Sequence, residues 1–210
     1  MALVKLNNRG VRSATAFGSI TGLGSMTFIK KVTASSSSTI SFVDGTSDVV
    51  LDNTYKEYLF TFKNIHPSAD SAEFSFQGDT GTNTSYNQTI TSSFFKAQHR
   101  QDAVVTGLAY DTGADLAQST NFQRLAFNID NGNEDNLSGY LHLFNPSSST
   151  FVKHFLATCN YTYDGDGDEQ YSFNTFVGGY FNTTTAITRL QFKFESGNID
   201  AGDICLYGIN

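Results

Sequence analysis

The sequence predicts an all-β fold: an antiparallel β-sandwich or jelly roll over residues 26–210, preceded by an extended arm over residues 1–25. Three observations point there. The chain holds 19 Phe and 10 Tyr, and aromatic side chains suit a pleated, half-buried surface. Several stretches alternate apolar and polar residues with period two. Turn-forming clusters of Gly, Ser, Asn and Asp separate those stretches at short intervals. At 210 residues the chain fits one large β domain, long enough to bury roughly 70% of its unfolded surface without a covalent staple.

The first 25 residues, MALVKLNNRGVRSATAFGSITGLGS, differ from the rest. They carry four glycines, three basic residues and little alternation after Leu6. Such a segment has no core of its own and orders against a partner. Val4, Leu6, Val11, Phe17 and Ile20 are its apolar anchors, Lys5, Arg9 and Arg12 its charges, and GLGS its hinge. Charge is lopsided along the whole chain. Lys5, Arg9, Arg12, Lys30 and Lys31 precede every acid, whereas all 20 acids lie from Asp44 onward. A basic arm on an acidic body suits docking to a protein partner. Five dispersed charges without interleaved aromatics are a poor nucleic-acid footprint.

Strands are expected next at 27–33 and 39–43, joined by ASSSS. In YKEYLFTFKN, Tyr58, Phe60 and Phe62 share one face, with Leu59, Thr61 and Lys63 opposite. In SAEFSFQG, Ala72, Phe74 and Phe76 face the core, with Glu73, Ser75 and Gln77 on the wet side. Further strands are expected at 103–110, 139–144, 151–159, 172–181 and 202–209. DLAQSTNFQRLAFNID has some helical spacing and reads equally as a loop feeding a strand. Near the end, Leu190, Phe192 and Phe194 alternate with Gln191, Lys193 and Glu195; ESGNIDAGD then turns the chain on Gly197 and Gly202 into a closing hairpin. Ile204 and Leu206 re-enter the core, while Cys205 and Tyr207 face away.

Chemistry-bearing patterns are few. DGDGDEQ sets Asp164, Asp166 and Asp168 in one loop, bordered by Tyr161, Tyr163, Tyr171 and Tyr180. An EF-hand starting at Asp164 needs Gly at its sixth position and Glu at its twelfth; Glu169 and Thr175 stand there. The stretch therefore reads as a solvated acidic turn, with a looser calcium site as the alternative. Tyr163 and Tyr171 with the three aspartates are the candidate contacts for a glycan or calcium, and otherwise the tyrosines plug the end of the sandwich. No cofactor is called for. His142 and His154 flank NPSSS and would face each other only after a one-residue register change, with no third zinc ligand in view. Cys159 and Cys205 have no metal spacing and read as small buried thiols. There is no G-x-S-x-G, although a spatial pair of carboxylates leaves no trace in sequence. MALVKLNNRG breaks off before the apolar run of a signal peptide, and no stretch is apolar enough for a membrane span.

Four stretches in order, SSSSTISF, LDNTYKEYLFTFKNIHPSADSAEFSFQ, GYLHLFNPSSSTFVKHFLAT and ITRLQFKFESGNIDAGDICLYGIN, resemble a family of tailed-bacteriophage virion proteins. The likeness is strongest to those of marine phages infecting cyanobacteria and covers about residues 27–210. It rests on a serine-rich hairpin at Ser35–Ser38, the Asn64–Pro67 stretch NIHP, and Ser196–Ile209 at the end. The resemblance implies a non-enzymatic structural protein of the virion, assembled in the host cytoplasm: a short tail fibre, capsid fibre or decoration. Its implied partners are capsid or tail proteins, two further copies in a homo-trimer, and a glycan on the host surface, with neither nucleic acid nor membrane insertion. A soluble carbohydrate-binding module is the alternative reading.

Overall fold

The computed structural model describes residues 25–165 and 169–210. Twelve strands appear among them: β1 (Met26–Thr33), β2 (Ile40–Val43), β3 (Glu57–Pro67), β4 (Ala72–Thr80), β5 (Ile90–Arg100), β6 (Thr106–Tyr110), β7 (Gln123–Ile129), β8 (Leu137–Phe144), β9 (Lys153–Gly165), β10 (Glu169–Phe181), β11 (Ile187–Phe194) and β12 (Ile199–Ile209). All pairings are antiparallel. One sheet runs β1-β12-β3-β8-β9-β10-β5-β6 and the other β2-β11-β4-β7. The all-β sandwich is as expected, and its strand order is informative. Without β5, β6, β9 and β10, the sheets read β1-β12-β3-β8 and β2-β11-β4-β7, the order of a jelly roll. Those four strands form an extension that widens one sheet beyond β8.

The core forms where period-two faces meet across the two sheets. Phe192 of β11 is its hub, with ring centroids 5.4 Å from Phe60 and 5.3 Å from Phe62 on the opposing sheet. Phe74 and Phe76 lie 6.1 and 6.3 Å away on its own sheet. All five rings are buried. A second cluster, Phe127, Tyr161 and Phe173, fills the far end under β9 and β10. There the Thr175 hydroxyl donates to the Leu125 carbonyl at 2.6 Å, linking the two sheets through a satisfied buried hydroxyl.

Several expectations are corrected. β11 and β12 do not form a hairpin: they pair in different sheets, and Glu195–Asn198 carries the chain across the sandwich. The serine-rich link between β1 and β2 likewise crosses from one sheet to the other, and Ser37 bridges to Ile199. Alternation reports which side chains face inward but not which strands pair, so a crossing looks like a hairpin in sequence. Gly197 does turn the chain (φ +70°), whereas Gly202 sits inside β12 at φ +113°, where an added Cβ would fall 2.4 Å from the Asn64 carbonyl oxygen. It marks a register shift against β3. The 116–129 stretch contains no helix; it is a loop followed by β7. β6 is shorter than the strand expected at 103–110, and β5 was not anticipated.

Candidate functional site

The outer face of the eight-stranded sheet carries several exposed large apolar side chains. Register aligns two rows of side chains across it. One runs Phe28, Tyr207, Leu59, His142, Leu156 and then Gly178. The next runs Thr61, Tyr140, Thr158, Phe176, Phe95 and Tyr110. Phe28, Leu156, Tyr140, Phe95 and Tyr110 are among the exposed large apolar residues. Where the jelly roll meets its extension, the face dips into a groove of about 510 Å³. Ser93 and Gly178 give it a low floor, and Leu156, Tyr140 and the stacked pair Phe95–Phe176 (5.1 Å) give it walls. Glu57 stands at its rim against His142 Nδ1.

The outer face of the four-stranded sheet is built differently. Gln77, on the expected wet side of β4, and Asp79 two residues further on are 0% exposed because loops roof them. Gln77 Nε2 donates to the carbonyls of Gln88, Thr120 and Asn121 at 3.0, 3.2 and 2.9 Å. Asp79 accepts from Tyr86 N (2.7 Å), Asn83 Nδ2 (2.8 Å) and Gln88 Nε2 (2.9 Å). Ser75 is buried as well, correcting the expectation for that face. Beside the roof lies a polar groove of about 520 Å³. There the Arg124 guanidinium grips Glu73 at 2.8 and 2.7 Å, and Lys193 Nζ sits 4.3 Å from the Phe122 ring centre. Burial raises the Glu73 carboxyl above its ordinary value; Arg124 opposes this, and the neighbouring Glu195 adds to it. The groove's charged residues come from β4, β7, β11 and the segments beside them, Glu73, Arg124 and Lys193 from the strands and Asp115 and Glu195 from outside them, so no local motif could have signalled them.

Of the residues the sequence singled out, Val4, Lys5, Leu6, Arg9, Val11, Arg12, Phe17 and Ile20 lie outside the described residues, as do Asp166 and Asp168. Asp164 belongs to β9, whose Gly165 pairs with Glu169 of β10. Tyr163 and Tyr171 pair across that hairpin, their rings 5.6 Å apart, and both contact Phe173. With Tyr161 buried beneath, these three close the end of the sandwich. Tyr180 does not border the acidic stretch; it lies at the other end of β10 beside His154. Nor does His142 face His154, since β8–β9 register sets His142 opposite Leu156. Cys159 is a buried free thiol, pushed upward in pKa by burial. Cys205 is free but only half buried, correcting the expectation of two buried thiols. Among the described residues no three His, Cys, Asp or Glu gather as a metal site, and no helix is long and apolar enough to cross a membrane.

Comparison with models of protein families, with curated proteins and with solved structures returns no match for this chain.

Proposed function

We propose that this chain is a non-enzymatic structural protein of a phage particle, a short tail fibre, capsid fibre or decoration, whose arm docks it and whose β domain projects and associates with copies of itself, as a trimer. The observation that carries the reading is the open aromatic face of the eight-stranded sheet, with Leu156 55% and Phe28 56% exposed. Burying a Leu of this kind in a contact is worth roughly 1.5–3 kcal/mol. The sequence resemblance supports the same reading, and so does the contrast between a basic arm and an acidic body. In this role the loops at the far end of the domain touch a host-surface glycan, and three weak sites acting together supply avidity. Light scattering across a concentration series tests the association: an oligomer is expected, and a monomer at every concentration would count against it. Deleting residues 1–25 should also abolish incorporation into particles.

A second reading, a carbohydrate-binding module, draws on the polar groove over the four-stranded sheet. Arg124, Glu73 and Lys193 offer charged hydrogen-bonding groups to sugar hydroxyls there, beside the Phe122 and Tyr86 rings. Tyr163, Asp164, Asp166, Asp168 and Tyr171 at the hairpin are the other candidate contacts. A glycan array with and without EDTA separates the sites: calcium-dependent binding selects the hairpin and calcium-independent binding the groove. No binding at all retires this reading.

A further inference from the structure

We infer that the open edge of β6 is a docking strand for β6 of a second copy, the two strands pairing antiparallel about a two-fold axis at Leu108. The edge is open by register. Arg100 N donates to the Val105 carbonyl and Asp111 N to the Phe94 carbonyl, both at 2.9 Å. The β5–β6 pairs between them are Phe95–Tyr110, Lys96–Ala109, Ala97–Leu108, Gln98–Gly107 and His99–Thr106. Hydrogen-bonded and non-hydrogen-bonded pairs alternate along an antiparallel ladder, so the amides and carbonyls of Gly107 and Ala109 bond to β5. Those of Thr106, Leu108 and Tyr110 point outward, and no strand lies beyond β6 among the described residues. All five residues of β6 are exposed, Leu108 at 73%.

An edge of this kind is a template for another strand unless something blocks it. β1 carries Lys30 and Lys31 and shifts register between Phe28 and Lys30. β7 carries Arg124 and shifts register twice against β4. β6, TGLAY, has no charge, no Pro and no register shift. It is also its own complement. A two-fold axis at Leu108 sets Thr106 against the partner's Tyr110, Leu108 against the partner's Leu108 and Tyr110 against the partner's Thr106. These are the residues whose amides and carbonyls point outward, so each pair exchanges both of its bonds. Their side chains share the outer face with Phe95, so the two Leu108 side chains leave water together. On the opposite face Gly107 meets the partner's Ala109, and nothing bulky holds the backbones apart. Charges flanking the strand are engaged within each copy, Asp111 by Lys96 at 2.9 Å and Asp102 by Arg100 at 2.6 Å. This match selects β6 of a second copy as the occupant, because β1 of a second copy would bring its lysines and its register shift to the edge. The contact is isologous and closes at two copies. Strands of this length make a small interface of the weak, transient class. The inference does not rest on the assembly reading, which uses the sheet's face and not its edge.

Two measurements on the full-length protein test it. Amide exchange compared between dilute and concentrated samples should slow severalfold at Thr106, Leu108 and Tyr110 on concentration, and less at Gly107 and Ala109 between them. Leu108→Lys sets like charges opposite each other and should erase that concentration dependence without moving the melting temperature. Cross-linking reads the register. In a Cys205→Ser background, where the remaining Cys159 is buried, a short bismaleimide should join Leu108→Cys chains to one another. It should also join Thr106→Cys to Tyr110→Cys when the two are mixed. Neither of those should link to itself, because the two-fold axis sets like residues four positions apart, roughly 14 Å at ~3.4 Å each. No link at Leu108→Cys overturns the inference, and so does equal self-linking at all three positions, the mark of random collision. Slow exchange of the Leu108 amide at every dilution also overturns it, since a segment of the same chain then covers the edge. Leu156→Ser separates this contact from the one on the face. The Leu108→Cys link should survive it; a link lost with Leu156→Ser belongs to the face and overturns the edge pairing. A surviving link with association otherwise unweakened by Leu156→Ser would count against the assembly reading alone.

Discussion

On the outer face of the four-stranded sheet Gln77 and Asp79 are 0% exposed, whereas on the outer face of the eight-stranded sheet Leu156 is 55% exposed. The polar face is hidden and the apolar face is open, the reverse of what hydropathy alone would arrange. The difference lies in what each face can satisfy internally. Gln77 and Asp79 find carbonyls, amides and side chains in the loops that roof them, so burying them leaves no orphaned group. Leu156, Phe95 and Tyr140 find only a shallow groove. One face is finished within the fold, and the other leaves large apolar side chains exposed.

Substitutions can break that contrast, and the inner faces set the scale. Phe60→Ala, at 0% exposure in the aromatic cluster, should cost roughly 3–5 kcal/mol by urea denaturation. Gln77→Leu is the corresponding test of the roof. It keeps a similar side-chain volume but removes an amide whose Nε2 reaches the Gln88, Thr120 and Asn121 carbonyls and whose Oε1 accepts from the buried Gly78 N, at roughly 1–3 kcal/mol for a buried group left unpaired. We expect a loss of about 3 kcal/mol and faster amide exchange across residues 81–89 and 118–121. Unchanged stability would mean the roof is decoration. Leu156→Ser on the other face should leave unfolding within about 0.5 kcal/mol, as for a surface change. It should nonetheless weaken association more than tenfold by sedimentation, on the scale of roughly 1.5–3 kcal/mol for a covered Leu.

How much of this was legible in the sequence differs between the faces. Tyr58, Phe60, Phe62, Leu190, Phe192 and Phe194 announce their inward faces by simple alternation, and all six are buried. The same rule fails at Ser75 and Gln77, because distant loops decide whether a polar side chain meets water. β5 carries no legible period, because ITSSFFKAQHR buries only Ile90 and Phe94 fully. The aromatic rows of the outer face were equally invisible. Leu156, Tyr140, Phe176 and Phe95 come from four strands, and only register brings them level. The polar groove has the same origin, with Glu73, Arg124 and Lys193 far apart along the chain.

The smallest effect concerns the charged rim of the roofed face. Glu73 is an acid whose folded carboxyl is raised above its ordinary value, mainly by burial and further by Glu195, with Arg124 pulling it back. The folded state therefore keeps this proton at pH values where the unfolded chain has released it. Stability from this group accordingly falls as pH rises from the ordinary glutamate value through the raised one, and is level above it. Glu195→Gln replaces the carboxyl whose hydrogen bond and like charge both raise Glu73, and leaves the Arg124–Glu73 pair intact. It should flatten that slope and stabilise the protein near neutral pH by a few tenths of a kcal/mol, the scale of an exposed charge pair. Denaturation midpoints from about pH 4 to about pH 7 for both proteins would show it. An unchanged slope in the variant would mean that neither the hydrogen bond nor the charge of Glu195 raises Glu73.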